Sequence, residues 1–230
     1  MATTDLVLSS GFLAFARHIG FLRAVEAAEL EVDAICGTSS GALVAALWAA
    51  GHPLDTISAE LSSRTPLSFF RLHKRPWQGL VSLRLMVELL EDLLPPTFAD
   101  LQRPLGVGVV DGERRYRLLT GGELASAVAA SCAIPHIFAP VWVDGEPFID
   151  GGVVDRLGLA AFRAWRPENP VVAHHVERTA GRDVAIDPCR VTLVTTPRSG
   201  ARFWDLGDFA GQVAEAERIT AAALADAGRG

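Results

Sequence analysis

A short glycine–serine segment, GTSSG at residues 37–41, separates two strongly apolar runs of this chain. The run before it, residues 32–36, leans towards β-formers and predicts a buried strand. The run after it, residues 42–50, is apolar all round and ends at Gly51, which predicts a helix covered on every side. A direct passage from a buried strand to a buried helix is typical of α/β folds. Of all the sequence features, it most restricts the folds that this chain can adopt.

The rest of the chain alternates strand and helix signals over its 230 residues. Further strands are predicted at residues 6–9, 171–174 and 191–195. Helices are predicted at residues 18–28, 53–61, 82–94, 123–132 and 212–225. Asp-Gly turns predict two hairpins, with strands at 107–110 and 116–119, and at 141–143 and 148–149. The pattern predicts a single α/β domain over residues 1–230, a three-layer α/β/α arrangement with a mostly parallel central sheet.

Composition excludes several classes of protein. Hydrophobic residues make up 50% of the chain and its formal net charge is −6. No segment approaches the roughly 18 uncharged apolar residues of a membrane span, and the acidic balance argues against nucleic-acid binding. The N-terminus lacks the basic region of a secretory signal, so we expect a cytoplasmic protein, with export by a signal-independent route left open. The many hydrophobic residues of the chain must therefore lie in a buried core or an apolar binding site.

The segment at residues 37–41 also matches the G-x-S-x-G pattern of a nucleophile elbow. The sharp turn from strand to helix would strain Ser39 and expose its hydroxyl, while Gly37 and Gly41 let the two elements approach closely. The helix N-terminus behind Ser39 supplies amide donors and a positive dipole for a developing oxyanion. A plain glycine–serine turn is the alternative, and the strand–turn–helix context favours the nucleophile.

A serine nucleophile needs a general base. The α/β-hydrolases place an acid and then a histidine after the serine, but here only one clear strand precedes the predicted strand at residues 32–36, too few for the sheet that such enzymes build first. His174 and His175 fall within or at the end of a predicted strand. Asp150 instead ends a predicted strand and is followed by Gly151 and Gly152, which allow a close approach to another loop. An ordinary turn aspartate is the alternative interpretation.

Four ordered segments together resemble the patatin-like phospholipase family. They are residues 6–9 with 18–20, residues 32–51, residues 130–141, and Asp150-Gly151-Gly152. The resemblance covers roughly residues 5–160 and implies a Ser–Asp dyad without histidine, with Ser39 as nucleophile and Asp150 as base. It further implies an acyl-enzyme and hydrolysis of fatty-acyl lipid esters, above all glycerophospholipids, with no metal and no cofactor.

One segment departs from the family's pattern. The family's first loop reads G-G-G-x-[R/K]-G and supplies oxyanion-hole amides, whereas residues 10–15 of this chain read SGFLAF. The resemblance assigns those amides to Gly11 and Phe12, and the basic position is Ala14. Beyond the acid loop, Arg156 and Gly158 replace the family's Asn and Pro. Besides a hydrolase, the alternatives are an acyltransferase using the same dyad and a weakly active or non-catalytic relative that binds a lipid or a partner.

Two further segments carry polar groups of interest. Residues 66–94 interleave aromatic and basic side chains, which predicts core packing, a lid over an acyl pocket, or transient contact with an anionic membrane surface. His18 is expected to be a packed, hydrogen-bonded imidazole. His174 and His175 with Glu177 lack the spacing of a metal site, so we expect no metal.

Overall fold

The computed structural model describes residues 3–63, 71–72, 81–177 and 191–228. Its strands are β1 (Thr4–Leu8), β2 (Val32–Thr38), β3 (Arg71–Leu72), β4 (Val81–Ser82), β5 (Leu105–Val110), β6 (Tyr116–Leu119), β7 (Val141–Val143), β8 (Glu146–Asp150), β9 (Val171–Val176) and β10 (Val191–Thr196). Its α-helices are α1 (Phe15–Ala27), α2 (Ser40–Ala49), α3 (Leu54–Ser63), α4 (Arg84–Leu93), α5 (Leu124–Ser131), α6 (Leu159–Trp165) and α7 (Phe209–Ala227). Short 3-10 helices cover Phe98–Asp100 and Gly151–Val153.

The centre of the fold is an eight-stranded sheet in the order β10-β9-β1-β2-β5-β8-β7, with β6 paired to β5 off this path. The strands from β10 to β5 run parallel to their neighbours. The strands β6, β8 and β7 are antiparallel additions. Antiparallel pairing suits both predicted hairpins because a short turn can join only antiparallel neighbours. The expected α/β fold with a mostly parallel sheet is confirmed.

The two faces of the sheet pack against different helices, because side chains alternate along each strand. In β1, Leu6 and Leu8 belong to the larger core, which includes residues of α1 to α5 and α7. Val7, between them, belongs to a second core with Phe162 of α6 and Val171 of β9. Helices therefore cover both faces, which makes the three layers that the sequence predicts.

Most predicted elements are confirmed within a few residues. The largest shifts are three residues, at the start of α1, which begins at Phe15 instead of residue 18, and at the start of α7, which begins at Phe209 instead of residue 212. Helix α2 is buried at all ten positions, as its uniform apolarity predicts. The sequence prediction omits α6, a helix of only seven residues that follows Gly158 in the left-handed conformation, with φ 66°. A segment so short has little periodicity to detect.

The expected lid or membrane contact at residues 66–94 falls partly outside the described residues, which there comprise 71–72 and 81–94. The last part of this segment is helix α4, and its Met86 and Leu90 are buried in the larger core. None of the helices in the described ranges combines the length and apolarity needed to cross a bilayer.

Candidate active site

The turn between β2 and α2 has the geometry of a strained elbow. Ser39 adopts φ 55° and ψ −122°, a conformation that non-glycine residues rarely take. A Cβ on Gly37 would lie 2.4 Å from the Gly41 backbone, and one on Gly41 would lie 2.6 Å from the Leu8 carbonyl oxygen. The two glycines are therefore needed where strand, helix and the neighbouring strand meet, which agrees with the reason given for them from the sequence.

Asp150 reaches Ser39 because of the register of three strands. Strand β6 occupies one edge of β5 along residues 107–110, so β8 pairs with the other edge, beyond the end of β2. Thr38 pairs with Gly108, and Asp150 pairs with Val109, the next residue along β5. The last residue of β8 thus lies beside the point where β2 turns into the elbow.

The Ser39 side chain lies beside the Asp150 carboxylate, close enough to influence the pKa of that group. Asp150 is only 4% exposed, and its Oδ1 also accepts a hydrogen bond from the Gly152 amide at 2.7 Å. Burial raises the pKa of Asp150 to about 6, and the nearby Ser39 hydroxyl and the hydrogen bond from the Gly152 amide act against a larger rise. Such a carboxylate is a stronger base than an ordinary one and is still mostly ionised at neutral pH.

Two residues at the end of α5 also contact the elbow. The Ser131 hydroxyl accepts a hydrogen bond from the Ser39 amide at 2.8 Å and donates one to the Gly108 carbonyl at 2.6 Å. The Cys132 thiol lies near the Ser39 side chain. Burial and the nearby Asp150 carboxylate raise the pKa of Cys132 well above its usual range, so the thiol stays neutral.

The loop at residues 10–15, which we call the first loop, adapts to the loss of its glycines. Ser10, Phe12 and Phe15 are not among the residues with positive φ, so these positions avoid the conformation that would strain them. The strain instead falls on Leu13, with φ 49°. The amides of Gly11 and Phe12, both on the cavity wall, make no hydrogen bond to another part of the described chain.

Arg156, in the segment that follows Asp150, holds the first loop in place through hydrogen bonds, a contact that we call the brace. Its Nη2 donates to the Ser10 carbonyl at 2.8 Å and to the Val176 carbonyl at 2.6 Å. Its Nε lies 3.3 Å from Ser10 Oγ, and its Nη1 lies 3.0 Å from His175 Nε2. The Ser10 amide donates to the Arg156 carbonyl at 2.7 Å. A guanidinium therefore joins the first loop, the end of β9 and the segment after Asp150.

These elements surround a cavity of about 720 Å³. The Ser39–Asp150 pair lies on its wall together with Gly11, Phe12 and Arg156. Much of the remaining lining is apolar and comes from α2, α3, α4 and the segment after α5, with residues Leu43, Leu47, Leu61, Met86, Leu90, Leu93, Ile134 and Phe138. The arrangement joins a nucleophile and base to a space suited to a hydrocarbon chain.

Two buried histidines lie behind the elbow. His18 Nδ1 is 2.9 Å from His174 Nδ1. The other ring nitrogen of His18, Nε2, lies 3.3 Å from Ser40 Oγ, and Nε2 of His174 lies 2.9 Å from Thr196 Oγ1. Burial, followed by the charge of Arg156, lowers the pKa of His18 to about 3, and burial lowers that of His174 well below its usual value. The neutral His18 imidazole therefore contacts Ser40, the neighbour of Ser39, and His174 supports His18 from behind. Over the described residues, no group of three or more metal-ligating side chains is found.

The predicted site residues therefore come together. Ser39 and Asp150 are in contact, Gly37 and Gly41 shape the elbow, Gly11 and Phe12 line the cavity, and the turn Gly151–Val153 follows the acid. Sequence reasoning missed Ser131 and did not assign a role to Arg156. Ser131 lies in a segment that carries the family resemblance, and Arg156 lies at a position where the chain departs from the family's pattern, but the contacts of both depend on residues far away in the chain.

Comparisons with known proteins identify related sequences and a related fold. The profile of the family described as patatin-like phospholipase matches residues 6–163. An uncharacterised NTE family protein of Mycobacterium tuberculosis is 31% identical over 164 residues, which are 67% of this chain and 44% of that protein. The neuropathy target esterase sws of Drosophila melanogaster is 30% identical over 161 residues, which are 66% of this chain and 11% of that protein.

A solved structure, that of VipD from Legionella pneumophila, has a similar fold. It superposes with a TM-score of 0.62 at 14% identity, over 98% of this chain and 67% of VipD. At that level of identity the likeness concerns the fold. The profile match and the similar sequences show that this chain belongs to the patatin-like phospholipase family.

Proposed function

We propose that this protein is a serine acyl hydrolase that cleaves fatty-acyl esters of lipids through Ser39 and Asp150. One observation carries the proposal: the Ser39 side chain lies beside a buried carboxylate at the wall of a large apolar cavity. A nucleophile with an adjacent base is the arrangement that acyl transfer requires. The strained conformation of Ser39 supports the same role, because such strain concentrates at functional sites.

In the first step, Ser39 Oγ attacks the ester carbonyl carbon while the Asp150 carboxylate accepts the hydroxyl proton. The negative charge that develops on the carbonyl oxygen is stabilised by the free amides of Gly11 and Phe12 and by the N-terminus of α2. When the tetrahedral intermediate collapses, the ester C–O bond breaks. The protonated Asp150 gives its proton to the departing alcohol, which leaves the acyl group on Ser39.

In the second step, water attacks the acyl-enzyme while Asp150 again accepts a proton. The same amides stabilise the second oxyanion, and collapse releases the fatty acid as the proton returns to Ser39 Oγ. A general base with a pKa near 6 suits both steps, because it is ionised at neutral pH and basic enough to accept a proton.

The apolar lining supports a fatty-acyl substrate, because the side chains from α2, α3 and α4 can bury a hydrocarbon chain. The family description, patatin-like phospholipase, and the name of the fly relative, neuropathy target esterase, both fit an ester of a lipid. A glycerophospholipid is therefore the substrate class that we propose. Transfer of the acyl group to another alcohol would use the same first step and a different acceptor.

A fluorophosphonate probe tests the nucleophile. We expect the probe to label the wild-type protein at Ser39 and to leave Ser39→Ala unlabelled, with the site read by mass spectrometry. Ser40→Ala is the matched control, because it removes a neighbouring hydroxyl on the same cavity wall and should leave Ser39 reactive. An unlabelled wild type would instead favour the non-catalytic binding module. Thin-layer analysis of products with and without a lysolipid acceptor separates hydrolysis from acyl transfer.

A further inference from the structure

The single tyrosine of this chain, Tyr116, lies next to the elbow but outside the cavity lining. It begins β6 and pairs with Val110 of β5. Its hydroxyl forms a hydrogen bond of 3.0 Å with Thr38 Oγ1, and Thr38 is the fully buried residue directly before Ser39. A side chain from the hairpin therefore contacts the segment that carries the nucleophile.

Two glycines make room for the Tyr116 hydroxyl. A Cβ on Gly108 of β5 would overlap the hydroxyl oxygen and would lie 2.5 Å from Thr38 Oγ1. A Cβ on Gly158, the residue before α6, would overlap the same oxygen. The hydroxyl thus occupies a space between Gly108, Gly158 and Thr38, which we call the notch, and no further side-chain atom fits there.

The notch also contacts the segment that follows Asp150. Gly158 belongs to this segment, and Gly151, the residue directly after Asp150, packs on Thr38. A Cβ on Gly151 would lie 2.6 Å from the Gly108 carbonyl oxygen and 3.0 Å from Thr38 Cγ2. The residue before the nucleophile and the residue after the acid therefore meet at the notch.

The strained backbone of Ser39 makes such contacts important. A residue with φ 55° and ψ −122° keeps this conformation only where the surrounding structure holds it. On one side, the Ser131 hydroxyl accepts a hydrogen bond from the Ser39 amide at 2.8 Å. On the other side, the hydrogen bond from Tyr116 holds the side chain of Thr38. The elbow is therefore fixed by hydroxyl groups from two different elements, α5 and β6.

We propose that Tyr116 is a positioning residue for acyl transfer, because its hydroxyl, through Thr38 and the notch, fixes Ser39 Oγ relative to the Asp150 carboxylate. Proton transfer needs the hydroxyl and the base within hydrogen-bond reach, and a small displacement lowers the rate strongly. Tyr116 lies outside the cavity lining, so it acts on Ser39 only through its neighbours. The inference rests on the proposed function, since it concerns the reaction of the same pair.

Two substitutions test the contact because each removes one hydroxyl and keeps the shape of the side chain: Tyr116→Phe and Thr38→Val. We expect each to lower kcat for a soluble short-chain ester roughly 10-fold and to change KM less than about twofold. The double variant should also lose about 10-fold, whereas independent effects would multiply to about 100-fold. Thr38→Ser keeps the hydroxyl, so its kcat should lie closer to the parental value than that of Thr38→Val.

Thr220→Val is the matched control for the loss of a buried hydroxyl. Thr220 is fully buried in α7, outside the cavity lining, and its hydroxyl donates to the Ala216 carbonyl at 2.7 Å. This variant should keep the parental kcat whatever its effect on stability. Urea denaturation of every variant shows whether a loss of kcat accompanies a loss of stability or occurs without one.

Several outcomes would overturn the inference. A folded Tyr116→Phe enzyme with parental kcat would do so, as would a double variant whose loss equals the product of the single losses. An equal fall in kcat for Thr220→Val would assign the effect to stability alone. If Tyr116→Phe does not fold, equal kcat values for Thr38→Val and Thr38→Ser would contradict the role of the hydroxyl.

The inference and the proposed function can be separated by probe labelling. With a parent that the fluorophosphonate labels at Ser39 and that hydrolyses the ester, an unchanged kcat in the Tyr116 and Thr38 variants contradicts the positioning role and leaves the proposed function intact. A parent that is neither labelled nor active would overturn both.

Discussion

The elbow at residues 37–41 and the first loop at residues 10–15 face the same cavity but are held by different means. The elbow is fixed by backbone contacts, since a Cβ on Gly37 or Gly41 would approach other main-chain atoms to 2.4–2.6 Å. The first loop is held by a side chain from a distant segment, because Arg156 bonds the Ser10 carbonyl and hydroxyl. One region depends on its own residues, whereas the other depends on a long-range partner.

This difference explains which substitutions the site accepts. In the elbow no side chain fits at the two glycines, so the local pattern must be kept. In the first loop, three glycine positions of the family pattern carry Ser10, Phe12 and Phe15 without positive φ, and Leu13 takes the strain. A loop with a brace from elsewhere can change its sequence and still present the Gly11 and Phe12 amides to the cavity.

The largest effect is expected at the proposed catalytic pair, Ser39 of the elbow and Asp150 at the end of β8. Asp150→Asn keeps the size of the side chain but removes the base, so we expect kcat for a soluble ester to fall about 10³-fold. Combining it with Ser39→Ala should cost little more than either change alone, because the two residues act as a unit. Steady-state kinetics measures both. An Asp150→Asn enzyme with near-normal kcat would exclude Asp150 as the base.

A glycine substitution tests the backbone contacts of the elbow. Gly41→Ala should destabilise the protein by about 3 kcal/mol, on the order of 100-fold in the folding equilibrium, because its Cβ would clash with the Leu8 and Ser9 carbonyls. Urea denaturation measures the free energy of unfolding. Gly121→Ala is the control, since nothing lies within 4 Å of the added Cβ. Equal stability of the two variants would contradict the account of the elbow.

Removing the brace tests the first loop. Arg156→Met keeps much of the side-chain volume and loses its hydrogen bonds, so we expect kcat to fall roughly 10- to 30-fold with little change in KM. Arg156→Lys should recover part of kcat, because an ammonium can still donate to the Ser10 carbonyl. A purely structural role would lower stability without this split between kcat and KM. Thermal unfolding of both variants provides that comparison.

The pH dependence of kcat/KM tests Asp150 as the general base without any substitution. The pKa of Asp150 is raised to about 6, and general-base catalysis needs the ionised form. Since the carboxylate is lost as the pH falls through 6, kcat/KM should drop about tenfold per pH unit below it and level off above it. His18, whose pKa is lowered to about 3, stays neutral over this range and should not contribute. A midpoint near the ordinary pKa of aspartate would contradict the effect of burial.

Local signals in the sequence predicted the elements well. The apolar run at residues 42–50 predicts a fully covered helix, and α2 is buried along its whole length. The Asp-Gly turns predict both hairpins, and β5 pairs with β6 and β7 with β8 as expected. These predictions succeed because periodicity and turn chemistry depend on neighbouring residues. The short helix α6 was missed because its seven residues show too little periodicity and no clear turn signal.

The contacts between distant segments could not be predicted in the same way. Nothing near Arg156 in the sequence indicates that its guanidinium reaches Ser10, 146 positions away. In the same way, nothing near His18 indicates that it contacts His174, 156 positions away. Ser131 is one serine in a small-residue helix, and its role appears only when β5 brings Gly108 beside it. Such contacts follow from strand order and register, which local patterns leave undetermined.

By itself, the sequence determined the elbow, the candidate pair Ser39 and Asp150, and the α/β class. These depend on residue types that few local conformations accept, such as glycine at points of close backbone approach. Only the tertiary structure decided that β8 continues past the end of β2, which brings Asp150 to Ser39 and buries it until its pKa rises to about 6. Burial and proximity arise from the packing of the whole chain, so the chemistry that they permit is set at that level.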